Sequence, residues 1–342
     1  MADSEAPRRV INLALQGGGA HGAFTWGVLD RLLEEPNLEF EGICGTSAGA
    51  LNAVVLASGL ARGGRDGARQ ALDRFWHAIG EVGHMTPLQR SFFERFFGQW
   101  GMEYSPSYLW FDLISRIFSP YQFNPMNWNP LRDVLAEEVD FAGLNSSAGP
   151  KLFICATNVR TGKVKVFERQ ELTVDMLLAS ACLPFLFQTV YVDGEPYWDG
   201  GYMGNPAIFP LIYGCETPDV MIVQINPIHT ENVPTSAPEI MDRVNEISFN
   251  SSLMREMRAI HFVTKLIEAG KLDGGLYKKM NMHMIEASAE MGGLGASSKL
   301  IVEPQFLCYL RDIGRQAADR WLIENGDRIN RESTLDLVSA FF

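Results

Sequence analysis

The sequence predicts an α/β fold with a mainly parallel central sheet. Two stretches predict it, because each reads as a strand, a glycine turn and a helix in succession. The first runs through Val10–Leu15 and turns at Gly17–Gly22, and the second runs through Phe40–Cys44 and turns at Gly45–Gly49. Successive strand–turn–helix units of this kind place their strands side by side and parallel.

The first glycine turn has the composition of an anion cradle. Consecutive glycines can aim several backbone N–H groups into one cavity, and the start of the following helix reinforces them. The predicted oxyanion and substrate-binding residues are Gly17, Gly18, Gly19, Ala20 and Gly22.

The same turn also matches the G-x-G-x-x-G pattern of dinucleotide-binding proteins. That interpretation needs an acidic residue at the end of the second strand, about 20 positions on. Glu39 and Glu41 are near, but they precede the apolar part of the strand. A dinucleotide-binding oxidoreductase therefore stays an alternative, although it leaves the second turn unexplained.

The second turn contains a candidate nucleophile, Ser47. The small residues Gly45 and Gly49 allow the sharp strand-to-helix turn that lifts a serine hydroxyl above a sheet. The alternative role is structural, since a serine here can also cap the helix that starts near Ala48.

A serine nucleophile needs a base. A Ser-Asp-His order would draw on one of three histidines, none of which has a distinctive neighbourhood: His229, His261 and His283. Asp199 is the better candidate, because Gly200 and Gly201 behind it allow close approach to another loop. Asp193-Gly194 fits a turn between short strands, which is a structural role.

The segment Phe92–Trp128 is dense in aromatic residues, with thirteen of them interrupted by prolines. It predicts an inserted helical cap over about residues 85–130. Two interpretations remain open: an ordinary subdomain core, and an apolar lid that contacts a membrane surface.

Further strands are predicted at 152–157, 164–167 and 220–225, where apolar residues form short runs or alternate. Beyond Pro234 apolar residues recur at helical spacing, and another helix is predicted over Gln305–Ile323. We therefore expect a catalytic domain over 8–230 and a helical C-terminal extension over 235–342.

Composition excludes some classes of partner. The formal charge of −12 argues against nucleic acid as a partner.

The cysteines and the N-terminal region indicate the compartment. Five cysteines without C-x-x-C spacing indicate reduced core thiols. The apolar run near the start is too short for a secretory signal, so we expect cytoplasmic residence. No metal-ligand cluster is evident, so no metal and no cofactor are predicted, and the sequence carries no signal for an oligomeric state.

Taken together, the motifs resemble those of the patatin-like phospholipase family. The glycine turn, the G-x-S-x-G turn and Asp199-Gly200-Gly201 correspond to its three motifs, and 179–187 and Asn205-Pro206 resemble further family blocks, so the match covers about residues 10–226. The resemblance implies a three-layer α/β/α fold and a lipid acyl hydrolase with a Ser47–Asp199 dyad. Peripheral membrane contact is a further expectation. A non-catalytic lipid-binding protein remains the other alternative.

One residue departs from the family pattern. His21 occupies the position that the family usually gives to Lys or Arg. A permanent positive charge is thereby replaced by a group that is neutral above an ordinary pKa of about 6.5. We expect His21 to pack beside the cradle rather than to take part in catalysis.

Overall fold

The computed structural model describes residues 8–83, 90, 100–102, 105–230, 233–274 and 276–342. Within them, the strands form a single sheet in the order β5-β6-β3-β2-β1-β7-β8, with β4 paired to β3. The strands are β1 Arg9–Leu15, β2 Leu38–Thr46, β3 Lys151–Asn158, β4 Val164–Glu168, β5 Val190–Val192, β6 Glu195–Asp199, β7 Asp219–Val223 and β8 Asn281–Ile285.

The sheet is mostly parallel, as predicted. β3, β2, β1, β7 and β8 pair in parallel. β4 and β6 run antiparallel to β3, and β5 runs antiparallel to β6. The parallel strands end at one edge of the sheet, where both glycine turns lie.

Helices connect and cover the strands. The helices are α1 Gly22–Leu32, α2 Ala48–Gly83, α3 Pro106–Ile117, α4 Pro120–Phe123, α5 Leu131–Glu138, α6 Phe141–Ser146, α7 Val174–Ser180, α8 Phe209–Gly214, α9 Ala237–Glu268, α10 Ser288–Met291, α11 Pro304–Asn325 and α12 Leu337–Phe341. The long helix α2 is interrupted at Gly63 and Gly64, whose backbone angles are not helical.

The fold has three layers, as the resemblance implies. Successive residues of β1 face opposite sides: Leu13 belongs to the core shared with α1, α2 and α11, whereas Ala14 belongs to the core shared with α8, α9 and α12. This period-two alternation places one hydrophobic core on each face of the sheet.

The C-terminal third contributes more than the predicted helices. Residues 281–285 form the edge strand β8, which the sequence pattern does not predict because Asn-Met-His-Met-Ile lacks a β-branched run. α11 packs closely against α1, since a Cβ on Gly314 or Gly27 would collide with the backbone of the other helix. This part of the chain is therefore joined to the elements that carry the first glycine turn.

The aromatic segment is described in part. The side chains Phe92, Phe93, Phe96, Phe97 and Tyr104 lie outside the described residues. Trp100 packs on α11, with its ring centroid 4.9 Å from that of Phe306. α3 instead leaves four apolar side chains exposed: Leu109, Trp110 (to 65%), Leu113 and Ile117. Among the described helices, none is long and apolar enough to cross a membrane.

Candidate active site

The sheet brings Ser47 and Asp199 to one place although 152 positions separate them in the chain. β2 pairs with β3 as far as Thr46 and Cys155. β4 occupies the other edge of β3, so β6, which pairs with residues 156–158, continues on the edge that β2 has just left. Asp199 at the end of β6 therefore lies directly beyond the end of β2.

Ser47 occupies the sharp turn that the sequence predicts. Its backbone φ of 53° lies in the left-handed region, which is uncommon for a residue with a side chain. Close packing fixes both flanks: a Cβ on Gly45 would lie 2.6 Å from the carbonyl oxygen of Gly49, and one on Gly49 would meet the carbonyl of Leu15. Ser47 itself is half-buried, whereas its neighbours Thr46 and Ala48 are buried.

A second serine holds this turn in place. The Ser47 N–H donates to Ser180 Oγ at 3.0 Å, and the Ser180 hydroxyl donates to the Cys155 carbonyl at 2.7 Å. Ser180 is fully buried at the end of α7. The sequence places it in a block that resembles the family, but only the fold reveals this contact.

Asp199 is held by backbone contacts and is only 1% exposed. Its N–H donates to the Cys182 carbonyl at 2.7 Å, and its Oδ1 accepts from the Gly201 N–H at 2.7 Å. The absence of a Cβ on Gly200 lets the chain approach the Cys155 carbonyl. Gly200 thus approaches another segment's backbone, whereas Gly201 packs against the side chain of Phe249.

The carboxyl of Asp199 has an unusual environment. Burial raises its pKa from 3.8 to about 7, and hydrogen bonding from Gly201 and contact with Ser47 only partly oppose that effect. Oδ2 is buried and has no hydrogen-bond partner of good geometry among the described residues. The hydroxyl of Ser47 lies nearby, and rotation about its side chain would let it donate a hydrogen bond to Oδ2.

Three buried polar residues anchor the first glycine turn. Gln16 Oε1 accepts from the N–H groups of Ile225 and Asn226, at 2.8 and 2.9 Å. Asn205 Oδ1 accepts from the Gly17 N–H at 2.7 Å, and Asn226 Nδ2 donates to the Gly17 carbonyl at 2.9 Å. Gln16 and Asn226 escape the sequence analysis because isolated amides carry no pattern.

The five predicted cradle residues have different surroundings. The Gly17 N–H is taken by Asn205, and Gly22 packs against Ala48, where a Cβ would come within 2.6 Å of the alanine Cβ. Gly18 is half-buried and Gly19 is exposed, and their N–H groups have no acceptor among the described residues. Ala20, the remaining predicted residue, is buried in the short 3-10 turn Gly19–His21 that precedes α1.

His21 is buried and neutral. The hydroxyl of Ser298 donates to the Gly295 carbonyl at 2.6 Å, so it accepts from His21 Nε2, 2.7 Å away. Burial, followed by the positive charge of Lys299, lowers the pKa of His21 to about 3. The imidazole packs edge-on against Phe306.

The other candidate groups lie elsewhere. His283 is paired with Asp219 at the start of β7, the opposite edge of the sheet from Ser47. His229 is exposed after β7, and His261 packs on Phe342. The acidic residues of the dinucleotide interpretation, Glu39 and Glu41, also lie at the opposite edge, Glu41 accepting from the Thr217 N–H.

Comparisons with known proteins identify the family of this chain. The family model of patatin-like phospholipases matches residues 13–212, which include both glycine turns and Asp199. The crystal structure of VipD from Legionella pneumophila superposes with a TM-score of 0.36 at 18% identity, over 90% of this chain and 67% of that chain. No curated protein matches the sequence. Because the family model matches more than half of the chain, the protein belongs to the patatin-like phospholipase family.

Proposed function

We propose that this protein hydrolyses carboxylic esters of lipids through a Ser47–Asp199 dyad and an acyl-enzyme. Family membership indicates a lipid acyl hydrolase. The observation that carries the finer proposal is the buried carboxyl of Asp199 beside a serine in a strained turn. Strained backbone and perturbed pKa values both concentrate at functional sites.

In the first step Asp199 takes the proton of Ser47 as the serine oxygen attacks the ester carbonyl. A pKa of about 7 suits this role, because the carboxylate is then abundant at neutral pH and still basic enough to accept a proton. The hydrogen bond from Gly201 to Oδ1 leaves Oδ2 for the serine proton.

The tetrahedral intermediate needs donors for its oxyanion. The N–H groups of Gly18 and Gly19 are the candidates, because the Gly17 N–H is already bound to Asn205. One such donor contributes ~10²–10³ in turnover. The intermediate collapses to the acyl-Ser47 ester as the ester's alcohol leaves, and this alcohol takes the proton from Asp199. The Asp199 carboxylate then accepts a proton from water, which attacks the acyl-Ser47 ester, and the fatty acid leaves as the proton returns to Ser47.

We also propose that the insert, about residues 85–130, forms a cap on a catalytic domain over 8–230, with 235–342 as its extension. Hydrogen bonds tie the cap to the segment before Asp199: Gln188 Nε2 donates to the Asn124 carbonyl at 2.8 Å. The exposed apolar side chains of α3, namely Leu109, Trp110, Leu113 and Ile117, would contact a membrane surface. Liposome co-sedimentation of Trp110→Ser should fall relative to Ile323→Ser, an exposed control on α11; equal binding would contradict the contact.

The two other functions have less support. A dinucleotide would need an acidic partner near the glycine turn, whereas Glu39 and Glu41 lie at the other edge of the sheet. A non-catalytic lipid-binding protein would have no need of Ser47 and Asp199 in contact.

A lipid panel tests the proposal. The wild type is incubated with phospholipid, lysophospholipid, neutral lipid and short-chain ester, and released fatty acids are identified by mass spectrometry. We expect release by the wild type and none above background from Ser47→Ala or Asp199→Asn. A wild type inactive on the whole panel, or a Ser47→Ala variant as active as the wild type, would refute the proposed function.

A further inference from the structure

A lysine from the C-terminal third lies beside the first glycine turn. The carbonyl oxygen of Lys299 is 2.5 Å from the position that a Cβ on Gly19 would take, so the two backbones are in close contact. Its charge also acts on His21, whose pKa it helps to lower. The turn thus has a lysine next to it, whereas the one basic residue within Gly17–Gly22, His21, is neutral.

Asn226 links this lysine to the turn. Lys299 Nζ donates to Asn226 Oδ1 at 2.8 Å, and Asn226 Nδ2 donates to the Gly17 carbonyl at 2.9 Å. The Gly17 carbonyl and the Gly18 N–H belong to one planar peptide unit and point in opposite directions. A donor fixed on the carbonyl therefore also fixes the direction of the Gly18 N–H.

The charge of Lys299 also polarises the Asn226 amide and, through it, the Gly17–Gly18 peptide. Hydrogen bonds in a chain strengthen one another, and the effect is larger when the first donor is charged. Lys299 draws electron density from the Asn226 amide, which becomes a better donor to the Gly17 carbonyl. The Gly18 N–H in turn becomes a stronger donor to whatever accepts from it.

We propose that Lys299, acting through Asn226, is a positioning residue that orients and polarises the Gly17–Gly18 peptide for the oxyanion. The inference rests on the proposed function above. It assigns to Lys299 the positive charge that the family pattern puts at position 21, where this chain carries a neutral histidine.

A second role for Lys299, direct binding of an anionic lipid headgroup, is less favoured by its surroundings. Burial lowers the pKa of Lys299, and the negative charges of Asp242 and Glu246 on α9 oppose that shift. These carboxylates also repel an approaching phosphate. The two roles separate on an uncharged substrate, because only the positioning role affects a neutral ester.

The test compares Lys299→Met, Lys299→Arg and Asn226→Ala on p-nitrophenyl butyrate, with Lys163→Met, an exposed lysine in the β3–β4 turn, as control. We expect kcat to fall about tenfold or more in Lys299→Met and Asn226→Ala, below the ~10²–10³ of losing a donor outright. KM should stay within about twofold, because the oxyanion forms only in the transition state. Lys299→Arg should recover most of kcat, and the Lys299→Met/Asn226→Ala double variant should lose no more than either single one.

Three results would overturn the inference: full activity in Lys299→Met, equal losses in the Met and Arg variants, and additive losses in the double variant. A loss confined to anionic phospholipid and to KM would assign the headgroup role instead. If Lys299→Met does not fold, the kcat of Asn226→Ala is compared with that of the wild type instead. An unchanged kcat in Asn226→Ala would contradict a positioning role of Lys299 through Asn226. Activity of the wild type that disappears in Ser47→Ala keeps the proposed function intact in each of these cases.

Discussion

Replacing Asp199 by asparagine should stabilise the fold while it removes hydrolysis. The pKa of this carboxyl is about 7 in the folded protein and 3.8 ordinarily. The folded state therefore holds the proton more tightly than the unfolded chain does, so ionisation of the carboxyl costs folding free energy. The asparagine amide has nearly the same shape, stays neutral, and its oxygen can still accept from the Gly201 N–H.

The size and the pH window of this effect follow from the two pKa values. Below pH 3.8 both states are protonated and the carboxyl costs nothing. Between 3.8 and about 7 the cost grows by about 1.4 kcal/mol per pH unit, and above about 7 it stays constant. The full shift of roughly three units corresponds to about 4 kcal/mol.

Urea unfolding at pH 4.5, 6 and 8 measures this cost as a difference between variants. The stability of Asp199→Asn relative to wild type should rise by about 3 kcal/mol between pH 4.5 and 8. Ser47→Ala is the matched control, because it keeps the carboxyl; it also removes a contact that lowers the pKa of Asp199, so its stability should depend on pH at least as strongly as that of the wild type. Glu256, whose burial raises its pKa to about 7 as well, is present in all three proteins and cancels. Parallel pH curves for wild type and Asp199→Asn would refute the reasoning.

Three further outcomes are expected. The wild-type kcat/KM should fall about tenfold per pH unit below about 7, because only ionised Asp199 accepts the serine proton; a pH-rate profile flat from 5 to 8 would contradict that role. Ser180→Ala should cost about 1–3 kcal/mol in urea unfolding, since it leaves the Ser47 N–H and the Cys155 carbonyl without their buried partner, and an unchanged midpoint would speak against the contact. Gly49→Ala should prevent folding or abolish covalent labelling of Ser47 by a fluorophosphonate, because its Cβ would collide with the Leu15 carbonyl. A stable, active variant would contradict this close packing of the turn.

Much of the fold is predictable because its central strands carry strong local signals. β1 and β2 each contain an apolar run followed by a glycine turn, and an apolar run is the sequence pattern typical of a buried parallel strand. β8 carries no such signal: its five residues include a buried histidine, His283, that pairs with Asp219 on β7. The partner that makes the strand stable lies 64 positions away in the chain, where a local pattern has no reach.

The residues of the candidate site likewise differ in whether a local sequence pattern predicts them. Ser47 and Asp199 can be predicted from sequence because the glycines beside them form short, recognisable patterns; in the structure these glycines pack closely against neighbouring segments. The residues around Ser47 and the first glycine turn are instead single polar side chains whose partners come from distant elements. Ser180, Asn226 and Lys299 have this character, and each acquires its role only when the sheet and the C-terminal third assemble.

Formation of a covalent adduct on Ser47 is the most direct test of the Ser47–Asp199 dyad. The wild type is treated with a fluorophosphonate, and the modified peptide is located by mass spectrometry. The dyad predicts one adduct per chain on Ser47, none in Ser47→Ala, and strongly slowed labelling in Asp199→Asn, which remains folded. An adduct at another serine, or labelling of Asp199→Asn at the wild-type rate, would contradict the dyad.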